Sequence, residues 1–185
     1  NTNLFFNPNS KSELKVSDHF KNFLGGWMKY SPDIFMFYSP YPTSFKRFVS
    51  ESFAPTKISW SMDNRTSTYR IVGEESSLRI ECRIPGADAN PYLAFAASIA
   101  AGIKGIEEKI DPPKMSKGDS YNNNSLESCP DNIGKGLQLF EKSKFISDVF
   151  GNNVKDHYNH FFSIEKSLYE KAVTDWEKNR YFERI

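Results

Sequence analysis

The chain has 185 residues, with 24 basic and 23 acidic side chains and a formal net charge of +1. This length is close to that of one domain, and an aromatic content of 15% is far above that of a disordered segment. The balanced charge argues against a nucleic-acid binder or a polybasic membrane protein. The longest apolar stretch covers about a dozen residues, fewer than the roughly 20 of a membrane helix. The sequence predicts a globular domain with no nucleic-acid or membrane partner.

Cysteine usage and the first residues bear on where the protein works. Cys82 and Cys129 are far apart in the sequence and form neither a metal-binding knuckle nor a disulfide framework. This usage predicts a reducing, cytoplasmic location. Residues 1–10 are polar and contain neither a methionine nor an apolar leader, which predicts that the chain is a segment of a larger protein.

The first part of the chain predicts a helix followed by a loop. Ser17 is a good N-cap, and the apolar residues after it recur at the i, i+3, i+4 and i+7 spacing of an amphipathic helix. Residues 38–55 contain three prolines among serines and threonines. They predict a loop with one short ordered piece at residues 44–47. Loops of this kind often carry function.

The middle of the chain predicts strands and the end predicts helices. Residues 58–62, 66–72 and 78–84 alternate as strands do, and residues 73–77 form a hairpin turn between the last two. Asn90 caps a helix that is predicted to run to about Lys109 and to be buried on most sides. After a predicted mobile loop at 111–124, helices are expected at 137–150 and from about 153 to 179. The predicted fold is α+β, with antiparallel strands flanked by helices.

The strand at residues 78–84 is the most informative segment. Its period of two makes one face apolar and leaves the other face with alternating charges at Arg79, Glu81 and Arg83. A solvated edge of alternating charges is one explanation. An anionic ligand is the other, because surface ion pairs rarely gather in this way without one. More cations come from the neighbouring hairpin and loop: Lys46, Arg47, Arg65 and Arg70.

A carboxylate among arginines suits phosphoryl transfer. Glutamate can hold a hard cation, and guanidinium groups bind phosphate or carboxylate oxygens in pairs. Arginines around a metal-bound triphosphate neutralise the charge that develops as the terminal phosphoryl group moves. Glu81 alone is insufficient for a nucleotide-bound metal, and His157 and His160 lack the context of a zinc site. The prediction is that the arginines converge with Glu81 on one pocket.

Six short motifs follow one another along the chain: Thr43-Ser44-Phe45-Lys46-Arg47, Ala54-Pro55, Asp63-Asn64-Arg65, Arg79-Ile80-Glu81-Cys82-Arg83, Asn90-Pro91-Tyr92-Leu93 and Ala101-Gly102-Ile103-Lys104-Gly105-Ile106. Their order resembles the C-terminal half of the glutamine synthetase catalytic domain. The resemblance covers nearly the whole chain, so residues 1–185 are predicted to be the C-terminal part of a single catalytic domain of the glutamine synthetase/guanido kinase-like fold. Residues 175–177 and 180–183 look more like the γ-glutamylpolyamine synthetase branch.

The resemblance implies an ATP-dependent ligase of nitrogen metabolism. ATP would phosphorylate the γ-carboxylate of glutamate, and ammonia or an amine would attack the acyl phosphate, with Mg²⁺ or Mn²⁺ on the nucleotide. It implies that Glu81 is a metal ligand and that Arg47, Arg65 and Arg83 bind glutamate. Arg65 and Arg70 fall on positions that bind ATP, and Arg65 is also the catalytic residue that neutralises the phosphoryl group in transfer.

The sequence departs from the family pattern at the position that the amine passes to reach the site, which we call the amine gate. Phe53 stands where ordinary glutamine synthetases carry a glutamate that takes the proton of ammonium. An aromatic gate favours a bulkier, partly apolar amine, although Glu51 would compensate if the loop were shifted. Ser76 and Ser77 stand where a nucleotide-binding lysine is expected. Tyr121 has no convincing counterpart in regulation by adenylylation and is interpreted as plain loop.

The family's paired histidines and remaining metal-binding glutamates lie upstream of the position of Asn1. The chain alone is therefore expected to be inactive, and the complete protein is expected to be a ligase that forms a homo-oligomeric ring. A non-catalytic relative with an assembly or regulatory role is the alternative. The retained arginines and Glu81 favour the enzyme, because a structural descendant has little reason to keep buried unpaired charges.

Overall fold

A computed structural model describes residues 2–184 of the chain. Helices precede and follow a small central sheet. One short 3₁₀ segment, Pro42–Arg47, precedes the sheet, and another, Glu75–Ser77, lies in the turn between its last two strands. A last 3₁₀ segment, Phe182–Arg184, ends the described region. The helices and strands are α1 (Asp18–Lys29), α2 (Ser31–Tyr38), β1 (Trp60–Met62), β2 (Tyr69–Val72), β3 (Arg79–Cys82), α3 (Pro91–Glu107), α4 (Ile133–Lys142), α5 (Lys144–Phe150), α6 (Asn152–Lys171) and α7 (Asp175–Tyr181).

The sheet has the order β1-β2-β3 and is mixed. Strands β2 and β3 form the predicted antiparallel hairpin, with Arg70 opposite Glu81. Strand β1 pairs with β2 in parallel, a pairing that the sequence pattern does not predict. The reason is the turn after β1, where the Asn64 side chain accepts a hydrogen bond from the Thr66 backbone N–H at 2.9 Å. This turn sends the chain back to the start of β1, so that Tyr69 lies beside Trp60.

Two helix starts are the predicted ones. The Ser17 hydroxyl accepts a hydrogen bond from the backbone N–H of Phe20 at 3.1 Å, which caps α1. The Asn90 side chain accepts from the backbone N–H of Tyr92 at 3.0 Å and starts α3. Side-chain oxygens at these positions satisfy N–H groups that have no partner inside the helix.

The helices after residue 130 are shorter than predicted. The expected helix at 137–150 is two helices, because Ser143 has an extended backbone and its hydroxyl accepts from the Ile146 N–H to start α5. The expected helix from about 153 to 179 ends at Lys171, and a new helix starts at Asp175 after the N-cap Thr174. There Thr174 and Glu177 form a reciprocal capping box. Polar caps inside an apolar periodic stretch end these helices, although the apolar spacing continues.

Helix α3 is buried on one side only, so the prediction that it is buried on most sides is wrong. Its small residues face α1 and the core, and four of its large apolar residues face outward. An apolar composition therefore does not separate a fully buried helix from one with a single covered face. The exposed α3 stripe is formed by Tyr92 (83% exposed), Phe95 (66%), Ile99 (54%) and Ile103 (47%).

Helices α1 and α3 cross at glycines. A methyl group on Gly105 would lie 2.5 Å from the Cα of Gly26, which is closer than carbon atoms pack. We expect Gly105→Ala to lower the free energy of unfolding by about 2 kcal/mol, since backbone on both helices would have to move. Urea denaturation of this chain measures the change.

The control is Ala96→Ser on the exposed side of the same helix. It should change the free energy of unfolding by less than about 0.5 kcal/mol. Equal stabilities of the two variants would contradict the tight crossing.

Candidate active site

The hairpin β2–β3 brings two arginines onto one carboxylate. The register places Arg70 opposite Glu81, and Arg83 follows Glu81 by two residues on the same face. Arg70 Nη1 lies 3.0 Å from Glu81 Oε2, and Arg83 Nη1 lies 2.5 Å from Glu81 Oε1. Burial raises the pKa of Glu81, but the hydrogen bonds from Arg83 and Arg70 outweigh it, so that the pKa lies below its usual value. Glu81 is thus held as a carboxylate.

Arg47 joins this cluster from the 3₁₀ segment. Its Nη2 donates to the backbone carbonyl of Arg83 at 3.0 Å, and its Nη1 donates to the carbonyl of Ile84. The guanidinium also lies 4.7 Å from the centre of the Phe48 ring. Burial lowers the pKa of Arg47, although an arginine remains charged in proteins. These contacts fix a half-buried cation where the chain leaves β3.

Phe53 lies on a strained segment beside the same cluster. Glu51 and Phe53 have φ values of 67° and 59°, a region that side chains other than glycine rarely adopt. The carbonyl of Phe53 accepts a hydrogen bond from Arg83 Nη2 at 2.8 Å. Strained backbone of this kind gathers at functional sites. The Arg83 side chain therefore joins residues 49–54, which we call the Phe53 segment, to Glu81.

A groove of about 500 Å³ opens over these residues. Arg47, Phe53, Glu81 and Arg83 line it, together with Lys46. Of the two residues considered for the amine gate, Phe53 lines the groove, whereas Glu51 does not. The groove walls carry three basic side chains, one carboxylate and one aromatic ring.

The structure does not bring every predicted residue into this groove. Arg70 contacts Glu81 from outside it and is also bound by Asp63, a partner that the sequence reasoning gave no role. Arg65 is exposed in the turn after β1, and its side chain makes no hydrogen bond or ion pair within residues 2–184. The predicted convergence with Glu81 on one pocket therefore holds for Arg47 and Arg83, whereas Arg70 reaches Glu81 from outside the groove and Arg65 stands apart.

The loop after α3 reaches the same region. It was predicted to be a mobile surface loop, but Ser116 and Ser120 within it are buried. The backbone N–H of Ser120 donates to Thr66 Oγ1 at 2.9 Å, and Asn64 Nδ2 donates to the Gly118 carbonyl at 2.7 Å. The loop is thus tied to the turn that carries Arg65.

The described residues do not form a complete metal site. Between residues 2 and 184, no three His, Cys, Asp or Glu side chains are close enough to hold a metal ion together. Glu81 offers oxygen donors of the kind that Mg²⁺ and Mn²⁺ accept, so it fits as one ligand.

In the described part of the chain, residues 2–184, no helix combines the length and the apolar composition that a membrane crossing demands.

Comparison with known proteins identifies this arrangement. The family model described as the glutamine synthetase catalytic domain matches residues 1–181. The chain belongs to the glutamine synthetase family. This confirms the family predicted from the six motifs. The α+β fold is confirmed by likeness to a solved structure described as a GmaS/ADP complex, with a TM-score of 0.85 at 28% identity over 98% of this chain and 43% of that one.

Two relatives are named for organic amines or their amides. The chain is 39% identical over 170 residues to the γ-glutamylethanolamide synthetase GlnA4 of Streptomyces coelicolor, which covers 92% of this chain and 37% of the relative. It is 34% identical over 187 residues to the glutamate–isopropylamine ligase of a Pseudomonas species, covering 100% of this chain and 40% of the relative. The chain therefore spans about two fifths of the length of these family members.

Proposed function

We propose that the complete protein is an ATP-dependent ligase that joins the γ-carboxylate of glutamate to an amine through a γ-glutamyl phosphate. The observation that carries the proposal is the Glu81 carboxylate held between Arg70 and Arg83 at a basic groove. A carboxylate does not accept an amine at neutral pH, so it must first be activated. Convergent guanidinium groups stabilise the phosphate charge that this activation creates.

The arginines divide the work between glutamate and nucleotide. Arg47, Arg65 and Arg83 would bind glutamate, and Arg65 and Arg70 would bind the phosphates of ATP. Arg83 Nε supports this, because it is buried and has no hydrogen-bond partner within residues 2–184. A buried donor without a partner is costly, and an anionic ligand would satisfy it. Arg65 would neutralise the phosphoryl group during transfer, as the catalytic residue.

Glu81 would contribute one ligand to Mg²⁺ or Mn²⁺. When bound, the metal supplies charge neutralisation on the nucleotide phosphates. The remaining ligands would come from the part of the catalytic domain that the relatives have beyond the matched region. For this reason we propose that the present segment alone is inactive.

Phe53 points to a small organic amine as the acceptor. An aromatic ring in the groove, 59% exposed, offers apolar contact to carbon substituents and no negative charge to ammonium. The relatives named for ethanolamide and isopropylamine products are consistent with such an acceptor. We include polyamines in the class, because residues 175–177 and 180–183 resemble that branch.

Assembly and location complete the proposal. The exposed α3 stripe and the apolar residues of α7 would be covered in a homo-oligomeric ring or by the rest of the catalytic domain.

The predicted cytoplasmic location rests on cysteine usage. Burial raises the pKa of the Cys82 and Cys129 thiols to about 12, so both are poor nucleophiles.

The test is phosphate release by the complete protein. ATP, Mg²⁺ and glutamate are supplied with ammonia, ethanolamine, isopropylamine or a polyamine, each at the same concentration. We expect glutamate-dependent phosphate release and a γ-glutamylamide product, with an organic amine preferred over ammonia. The absence of phosphate release with every amine would contradict the ligase function, and a preference for ammonia would contradict the proposed role of Phe53.

A further inference from the structure

Tyr121 follows directly on a firmly anchored part of the loop after α3. Ser120 is buried, and its hydroxyl lies 3.2 Å from that of Ser67, in addition to the backbone bond to Thr66. The backbone N–H of Tyr121 donates to Asp119 Oδ1 at 2.9 Å. The start of the Tyr121 side chain is therefore fixed relative to the sheet.

From this anchor, Tyr121 reaches the segment that carries Phe53. Its hydroxyl oxygen is buried and lies beside the backbone of Phe53, and the charges of Asp119, Arg83 and Glu51 act on it. It makes no hydrogen bond of regular geometry within residues 2–184. Burial raises the pKa of Tyr121 above its usual value, so the phenol is neutral at neutral pH.

The Phe53 segment needs support from outside itself. Glu51 and Phe53 both hold left-handed backbone conformations, and such strain persists only when the surroundings fix it. Within the segment, Ser52 Oγ donates to backbone carbonyls of residues 47 and 49. From outside it, Arg83 donates to the Phe53 carbonyl, and the buried Tyr121 hydroxyl lies beside the Phe53 backbone.

We infer that Tyr121 is a positioning residue that holds the Phe53 segment over the groove and thereby sets how well the amine acceptor binds. The inference deepens the proposed function and rests on it for the identity of the acceptor. Tyr121 acts through Phe53, whereas Arg83 acts on the segment and on Glu81 together. Loss of the phenol should loosen amine binding and leave phosphoryl transfer to glutamate intact.

Two variants and a control test the inference. Tyr121→Ala removes the phenol, Tyr121→Phe removes only the hydroxyl, and Asn124→Ala changes an exposed residue of the same loop. Hydrogen exchange of residues 49–54 is measured in this chain. The KM for ethanolamine, the KM for glutamate and kcat are measured in the complete protein.

We expect Tyr121→Ala to speed amide exchange in residues 49–54 by about tenfold and to raise the ethanolamine KM by about tenfold. The glutamate KM and kcat at saturating amine should stay within about twofold, since ground-state binding of the amine alone is lost. Tyr121→Phe should raise the amide exchange rate of residues 49–54 and the ethanolamine KM by about threefold each, because it keeps the ring. Asn124→Ala should match the parent protein.

Unchanged exchange and unchanged ethanolamine KM in Tyr121→Ala would overturn the inference. Impairment of the ethanolamine KM, the glutamate KM and kcat to the same extent would also overturn it. If Tyr121→Ala does not fold, Tyr121→Phe decides, and an ethanolamine KM equal to that of Asn124→Ala rejects the inference. If the parent protein releases no phosphate with any amine, the proposed function fails, and exchange in residues 49–54 still decides whether Tyr121 positions the segment.

Discussion

Replacing Arg65 with alanine will lower kcat of the complete protein by about 10³-fold, the effect of removing an arginine that neutralises a phosphoryl group in transfer. The free energy of unfolding should hardly change. Arg65 is exposed and makes no hydrogen bond or ion pair within residues 2–184, so its removal leaves no partner unsatisfied. Single-turnover phosphate release from ATP with glutamate measures the rate, and urea denaturation measures the stability.

Arg79→Ala is the matched control for Arg65→Ala. Arg79 is also exposed, lies on the charged face of β3, and donates only to the carbonyl of Ser77. Its removal should change kcat by less than about threefold. A fall of less than tenfold in Arg65→Ala, or an equal fall in Arg79→Ala, would contradict the catalytic role. Arg83→Ala could not make this distinction, because Arg83 also holds Glu81 and the Phe53 carbonyl.

The charged face of the hairpin could be predicted from sequence because a strand has a fixed period. Leu78 and Ile84 are buried and Arg79 is exposed, as the alternation at 78–84 requires. The pairing of Arg70 with Glu81 follows from the hairpin register, which the turn at 73–77 sets. Local rules therefore sufficed for the contacts made inside the hairpin.

Other features depend on contacts between distant segments. The parallel pairing of β1 depends on a turn closed by the Asn64 side chain, and the exposed α3 stripe depends on what covers the helix. The sequence placed Arg65 in the convergent group, but Arg65 is exposed in the same turn and does not line the groove. Tyr121 gave no local signal, because its proximity to Phe53 joins residues 68 positions apart.

Replacing Phe53 with glutamate will shift the complete protein toward ammonia. We expect the ratio of kcat/KM for ammonia to that for ethanolamine to rise by at least about tenfold, or about 1.4 kcal/mol. The new carboxylate would stand at the groove lined by Glu81 and Arg83, where it can accept a proton from ammonium. It would also remove the apolar surface that contacts the carbon substituents of a larger amine. Competition between the two acceptors in one assay measures the ratio directly.

Phe53→Gln separates charge from size, because glutamine has the shape of glutamate without its charge. Both side chains meet the same backbone conformation at φ 59°, so backbone strain does not distinguish them. If the carboxylate matters, only Phe53→Glu gains ammonia activity, and Phe53→Gln merely loses ethanolamine activity. Equal gains in both variants would mean that the ring acts by filling space. An unchanged ratio in both would show that Phe53 does not face the acceptor, and that the groove admits amines by another side.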